Sequence, residues 1–111
     1  MFQKIFMEIL KLRNSRDKIK SYIGFAIKSR NIKFGVDEIL KMKHCEIVLF
    51  SKALAKSSTE KLMTYSAKTN SPIFEIDTND FANMFDGNEN VKAVAVIDKN
   101  LAVAIKKIMT E

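Results

Sequence analysis

Apolar positions recur at helical spacing in six stretches of the chain and form short runs rich in β-branched residues in four others. Phe2, Ile5, Phe6, Ile9 and Leu12 mark an amphipathic helix over residues 2–12, and Asn14 and Ser15 supply a break and an N-cap. A second helix is predicted over residues 16–28, with Ile19, Tyr22, Ile23, Ala26 and Ile27 as its buried stripe. Gly24 interrupts that stripe at a cost of about 1 kcal/mol relative to alanine, and close approach of another element is the expected compensation. Residues 32–34 read as a short strand and 36–43 as a short helix. The run from Cys45 to Phe50 is almost continuously apolar, as expected for a central strand covered on both faces.

The second half continues the alternation. Ser57 with Glu60 has the spacing of a capping box, which predicts a helix from about Ser58 to Lys68 that partly buries Leu62, Met63, Tyr65 and Ala67. Asn70, Ser71 and Pro72 form a turn, and residues 72–76 the next strand. Thr78 opens a short helix burying Phe81, Met84 and Phe85, which Asp86-Gly87-Asn88 ends. Residues 92–97 are the last strand, and Asp98 caps a final helix that turns Leu101, Ala102, Ala104, Ile105 and Ile108 inward. Helices that alternate with strands in this way predict an α/β fold, a sheet sandwiched between helix layers. Residues 15–111 are expected to form one domain, with residues 1–14 as an extension.

Charge changes the picture. Residues 1–44 hold 11 Lys or Arg against 4 Asp or Glu, a balance of +7, whereas residues 45–111 carry 8 against 9, a balance of −1. A basic half on a near-neutral body predicts an anionic partner, nucleic acid first and an anionic membrane surface second. No apolar run approaches the roughly 20 residues of a membrane span. Charges interrupt the first twelve residues too often for a signal core, and one cysteine, Cys45, suits a reducing compartment, so a cytoplasmic location is expected.

The stretch from Ser21 to Lys41 concentrates the candidate chemistry. Lys28 and Arg30 precede a short apolar segment, Ile32-Lys33-Phe34, and Gly35 opens a helix whose first turn holds Asp37 and Glu38. A glycine at a helix start leaves backbone N–H groups open to a phosphate. The two carboxylates have two readings: they complement the helix dipole, or they accept hydrogen bonds from a base edge. Lys41, one turn after Asp37, can reach a phosphate. No catalytic constellation assembles. The glycines at 24, 35 and 87 do not form a phosphate loop, and His44 has no Cys or His at ligand spacing. Capping and turn chemistry account for Ser57, Ser58, Thr59, Asp77 and Asp80. The expectation is a non-catalytic protein without cofactor or metal.

Several segments resemble a known family. Gly24-Phe25-Ala26 followed by Lys28-Ser29-Arg30-Asn31-Ile32 resembles a G-L-A-R-R-A-G-K segment, and Gly35-Val36-Asp37-Glu38-Ile39-Leu40-Lys41 is similar to G-x-N-E-x-x-K. Residues 95–102, AVIDKNLA, look like V-A-I-T-D-x-G-F-A. In this order and spacing they resemble small bacterial members of the kink-turn-binding ribosomal protein superfamily, of the L-seven-Ae and L-thirty-e type, across residues 17–108. The resemblance implies a three-layer α/β/α sandwich with a four-stranded mixed sheet, and binding to a sharply bent RNA through tandem sheared G·A pairs. It further implies that Gly35 brings backbone close to the RNA, that Glu38 accepts from a guanine edge, and that Lys41 meets phosphate. The loop after Gly87, through Val91 and Lys92, is implied to pack against an extruded base or the second RNA strand. Aspartate stands at position 37 where the pattern has asparagine, so this side chain accepts hydrogen bonds but donates none, and its charge opposes phosphate. That departure and the apolar stripe of residues 2–12 frame the alternative: a protein-interaction module on the same scaffold that forms a homodimer through residues 2–12.

Overall fold

The computed structural model describes residues 17–110. The amphipathic helix expected over residues 2–12, and the homodimer contact assigned to it, lie outside the described residues. Helix α1 occupies residues 17–28. It is followed by β1 (Ile32–Phe34), α2 (Val36–Leu40), β2 (Ile47–Ser51), α3 (Lys56–Thr69), β3 (Ile73–Ile76), α4 (Thr78–Met84), β4 (Ala93–Val96) and α5 (Lys99–Thr110). The strands form one mixed sheet in the order β1-β4-β2-β3. β4 runs antiparallel to both of its neighbours, and β2 and β3 are parallel. The element order and the four-stranded mixed sheet match the expectation.

Alternation along the two central strands makes the layers. Ile47 and Leu49 of β2, with Val94 and Val96 of β4, pack under Ile19, Ile23 and Ala26 of α1, Phe81 and Met84 of α4, and Ala102 and Ile105 of α5. Val48 and Phe50, with Ala93 and Ala95, face Ile39 of α2 and Leu62 and Tyr65 of α3. Successive side chains of a strand point to opposite faces, so one β2 segment serves both cores. All five of its residues are buried, as its unbroken apolar run predicts.

Some local expectations are corrected. The capping box does not form: α3 begins at Lys56 behind Ala55, which makes no side-chain cap. Ser51 accepts the N–H of Ala53 on its hydroxyl, 3.1 Å, and that of Leu54 on its carbonyl, 2.9 Å. This turn, with Leu54 packed on the core beside α3, starts the helix before Ser57. Leu62 and Tyr65 set the buried face of α3, and Met63 and Ala67 lie off it and are exposed, as is Ile27 on α1. α2 ends at Leu40 rather than Lys43. The close approach expected at Gly24 is not found among the described residues: a Cβ there would meet none of them within 4 Å. Asp98 caps α5 as expected, its Oδ1 accepting the N–H of Leu101 at 3.0 Å.

Candidate nucleic-acid interface

The sheet has two ends, and the predicted site residues divide between them. At the first end, the N–H of Gly35 donates to the carbonyl of Ala93 at 2.9 Å, and that of Ser51 donates to the carbonyl of Lys92 at 2.9 Å. Antiparallel pairing of β1 with β4 thus sets Gly35 and α2 beside Val91 and Lys92, far away in sequence. Gly35 has φ 88°, a left-handed conformation that favours glycine, and open space where a Cβ would stand. Gly87, at φ 79°, shapes the loop leading to this end; its N–H donates to the carbonyl of Ala82 at 2.8 Å. Val91 and Lys92 help line a cavity of about 330 Å³ with Ser51, Phe81 and Glu89. Phe34, 43% exposed, closes β1 at this end and meets Phe85 edge to face, centroids 6.1 Å apart.

Electrostatically this end is mixed. Asp37 and Glu38 are exposed in the first turn of α2, and Asp77 caps α4 by accepting from the N–H of Asn79 at 3.2 Å. Lys41 does not project freely: its Nζ lies 3.0 Å from Oε1 of Glu38, an exposed pair one turn apart. The guanine acceptor and the phosphate donor of the sequence reading are therefore joined to each other. Such a pair is worth only a few tenths of a kcal/mol, so RNA can part it.

Lys33 lies midway along β1, opposite Ala95, on the α2 side of the sheet. Arg30 lies at the other end, ahead of β1, whereas Gly35 follows it. It closes α1 in a left-handed conformation, φ 59°. The N–H of Asn31 returns to the carbonyl of Ala26 at 2.8 Å, and that of Arg30 to Ile27 at 3.1 Å. Glycine is the favoured residue at this position of a helix end, and an arginine there costs about 1 kcal/mol.

Behind Arg30, a polar network ties β2 to the α3–β3 turn. The N–H of Cys45 donates to the buried Ser71 hydroxyl at 3.0 Å, which sits 2.7 Å from that of Thr69. The Thr69 hydroxyl donates to the Tyr65 carbonyl at 2.8 Å, and Ser66 bonds the Ser71 carbonyl. Sγ of Cys45 is 3.2 Å from the Tyr65 hydroxyl. Burial pushes the Cys45 thiol above its usual range, and burial with the thiol contact pushes the Tyr65 phenol up to about 12. Cys45 is therefore a poor nucleophile.

Ser71, His44 and Glu46 stand in the order of a hydrolytic triad: Ser71 Oγ lies 3.4 Å from His44 Nδ1, and His44 Nε2 lies 3.8 Å from Glu46. The geometry opposes that chemistry. Nδ1 is 2.9 Å from the Thr69 carbonyl, which only accepts, so Nδ1 carries a proton and is no base for Ser71. Among the described residues, no three His, Cys, Asp or Glu side chains gather as a metal site requires. Nor is any helix among them long and apolar enough to cross a membrane.

No family model matches the chain, and no curated protein does. Its fold is similar to the solved structure of a protein of unknown function from Bacillus halodurans, with a TM-score of 0.74 at 15% identity. The match covers 84% of this chain and 97% of that one. At this identity the likeness establishes the α/β fold alone.

Proposed function

We propose that this chain is a non-catalytic, cytoplasmic RNA-binding protein of the kink-turn-binding ribosomal type, reading a bent RNA at the Gly35 end of its sheet. One observation carries the reading: the sheet register joins an open, left-handed glycine at a helix start to the Val91–Lys92 loop and its cavity. These are the two segments that the resemblance assigns to RNA. Open backbone at Gly35 lets a nucleotide approach closely, Lys92 meets its phosphate, and the adjacent cavity takes an unstacked base.

The test is a titration of a kink-turn hairpin against a straight RNA duplex of equal length. The native chain is expected to prefer the bent RNA at least tenfold, and Gly35→Val and Lys92→Ala each to reduce that preference while circular dichroism stays unchanged. Equal affinity for both RNAs, indifferent to either substitution, contradicts the reading.

A second reading, a protein-interaction module that self-associates through residues 2–12, is favoured by the carboxylates of Asp37 and Glu38 beside Gly35, which repel phosphate. Removal of residues 1–14 is then expected to halve the mass seen by light scattering; an unchanged mass ends that reading.

A further inference from the structure

Among the described residues, the early positive charge is divided between the two ends of the sheet. The fold places Arg30 and Lys43 at the end opposite Gly35 and adds Lys68 and Lys99 from the near-neutral half. The N–H of Ile97 donates to the carbonyl of Asn31 at 2.9 Å, which sets Arg30 beside Asp98 and Lys99. Pairing of Ile47 with Val96 brings the approach to β2, and with it Lys43, next in line. His44 Nδ1 donates to the Thr69 carbonyl at 2.9 Å, which places Lys68 beside Lys43. In the strand order β1-β4-β2-β3, the segments that flank the strands at this end carry Arg30, Lys99, Lys43 and Lys68: Arg30 and Lys99 belong to the α1 and α5 layer, Lys43 and Lys68 to the segments of the α2 and α3 layer.

All four are exposed, and none has an ion-pair partner among the described residues. The nearby carboxylates are engaged: Asp98 caps α5, and Glu46 lies 3.8 Å from His44. Helix-dipole complementation accounts for Lys68 in the last turn of α3. It does not account for Lys99, which is the first residue of α5, where a cation opposes the dipole. Nor does it account for Arg30, which lies beyond α1 in a backbone conformation that favours glycine. The hydrogen-bonded network through Cys45, Thr69 and Ser71 holds the Lys43 and Lys68 segments together, so half of the row is fixed in advance.

From this arrangement we propose that the Arg30–Lys99–Lys43–Lys68 row is a second nucleic-acid surface that grips the phosphate backbone of an RNA arm without reading sequence. The proposal rests on the RNA-binding reading and adds where most of the electrostatic affinity arises. Lys33 on β1 lies between the two ends, so an arm leaving Gly35 can follow that edge strand to the row. A cluster of cations across the end of a sheet suits a repeating anion, and three of the four are lysines, which meet phosphate as point charges.

The test uses the full chain with two probes, the kink-turn hairpin and the straight duplex, titrated from 50 to 300 mM salt. The variant Lys43→Gln/Lys68→Gln/Lys99→Gln is compared with Lys61→Gln/Lys106→Gln/Lys107→Gln, which removes the same charge from exposed positions elsewhere. The row variant is expected to lose roughly 10- to 100-fold affinity for both probes at low salt, and to flatten the slope of log K against log salt by about 3. The matched variant is expected to change far less. Equal losses in the two variants overturn the proposal, because net charge then suffices. Native binding by the row variant while Gly35→Val abolishes the preference for bent RNA overturns it too, and leaves the RNA reading standing. Row-dependent binding of both probes without preference for the bent one supports the row and removes the kink-turn reading. Row-dependent capture by phosphatidylserine vesicles, with neither RNA bound, assigns the surface to membranes and overturns it.

Discussion

The two ends of the sheet differ in what their backbone and side chains present. The Gly35 end offers an open, left-handed glycine, a half-exposed phenylalanine and a cavity, with carboxylates from α2 and α4 among its lysines. The Arg30 end carries unpaired cations on a backbone locked by side-chain hydrogen bonds. Shape is concentrated at one end and charge at the other. A sequence-level charge count blends the two, because Arg30 and Gly35 are near in sequence but stand at opposite ends of β1.

Perturbations of different reach separate the ends. The widest is a cavity in the shared centre. Leu49 is fully buried in β2 beneath both ends, so Leu49→Ala is expected to cost about 2–5 kcal/mol in denaturant unfolding and weaken both ends together. A loss confined to one end would show that the two are not one cooperative unit.

Ser71→Ala acts more locally. It removes the acceptor of the buried Cys45 N–H and the partner of Thr69, for about 1–3 kcal/mol. Hydrogen exchange is expected to speed up at Cys45 and its neighbours, with Gly35 and Ala93 unchanged.

Alkali probes the same end. The Cys45 thiol and Tyr65 phenol titrate above their reference values of 9.0 and 10.0, Tyr65 at about 12. The unfolded chain gives up these protons first, so stability is full below about pH 9 and falls as pH rises towards 12. A loss on the order of 2 kcal/mol is expected across that window. Tyr65→Phe is expected to flatten the decline in pH-dependent denaturation, and an unchanged decline places its cause elsewhere.

The smallest effect sharpens the Gly35 end. Glu38→Gln frees Lys41 and removes a negative charge, changing stability by less than about 0.5 kcal/mol. It is expected to strengthen non-specific RNA binding about twofold while weakening discrimination for bent RNA. Unaltered discrimination removes Glu38 from the base-reading role.

The fold was legible because its signals were local and redundant. The apolar run of β2, the β-branched strand β4 and the Asp98 cap each point to one state. The errors fell where tertiary contacts outweigh local chemistry: Leu54 and Ser51 set the start of α3 against the capping pattern of Ser57 and Glu60. The site was legible in part. Gly35 and Lys92 were named from the motifs of the resemblance, and the register of β1 with β4 sets the two segments side by side. Lys43, Lys68 and Lys99 left no local signal, because each reads as an ordinary exposed lysine until sheet order aligns them. Arg30 was named with Gly35, and the four residues between them, three of which are strand β1, set the two at opposite ends of the sheet.

The proposed division of labour between the ends is tested most directly by mapping amide chemical shifts of labelled protein as kink-turn RNA is added. Two groups of shifts are predicted: one at Gly35–Glu38 and Val91–Ala93, the other at Arg30, Lys43–Cys45 and Lys99, the second fading first as salt is raised. Shifts confined to the outer face of α3, or a single group at Gly35 that ignores salt, would contradict the account.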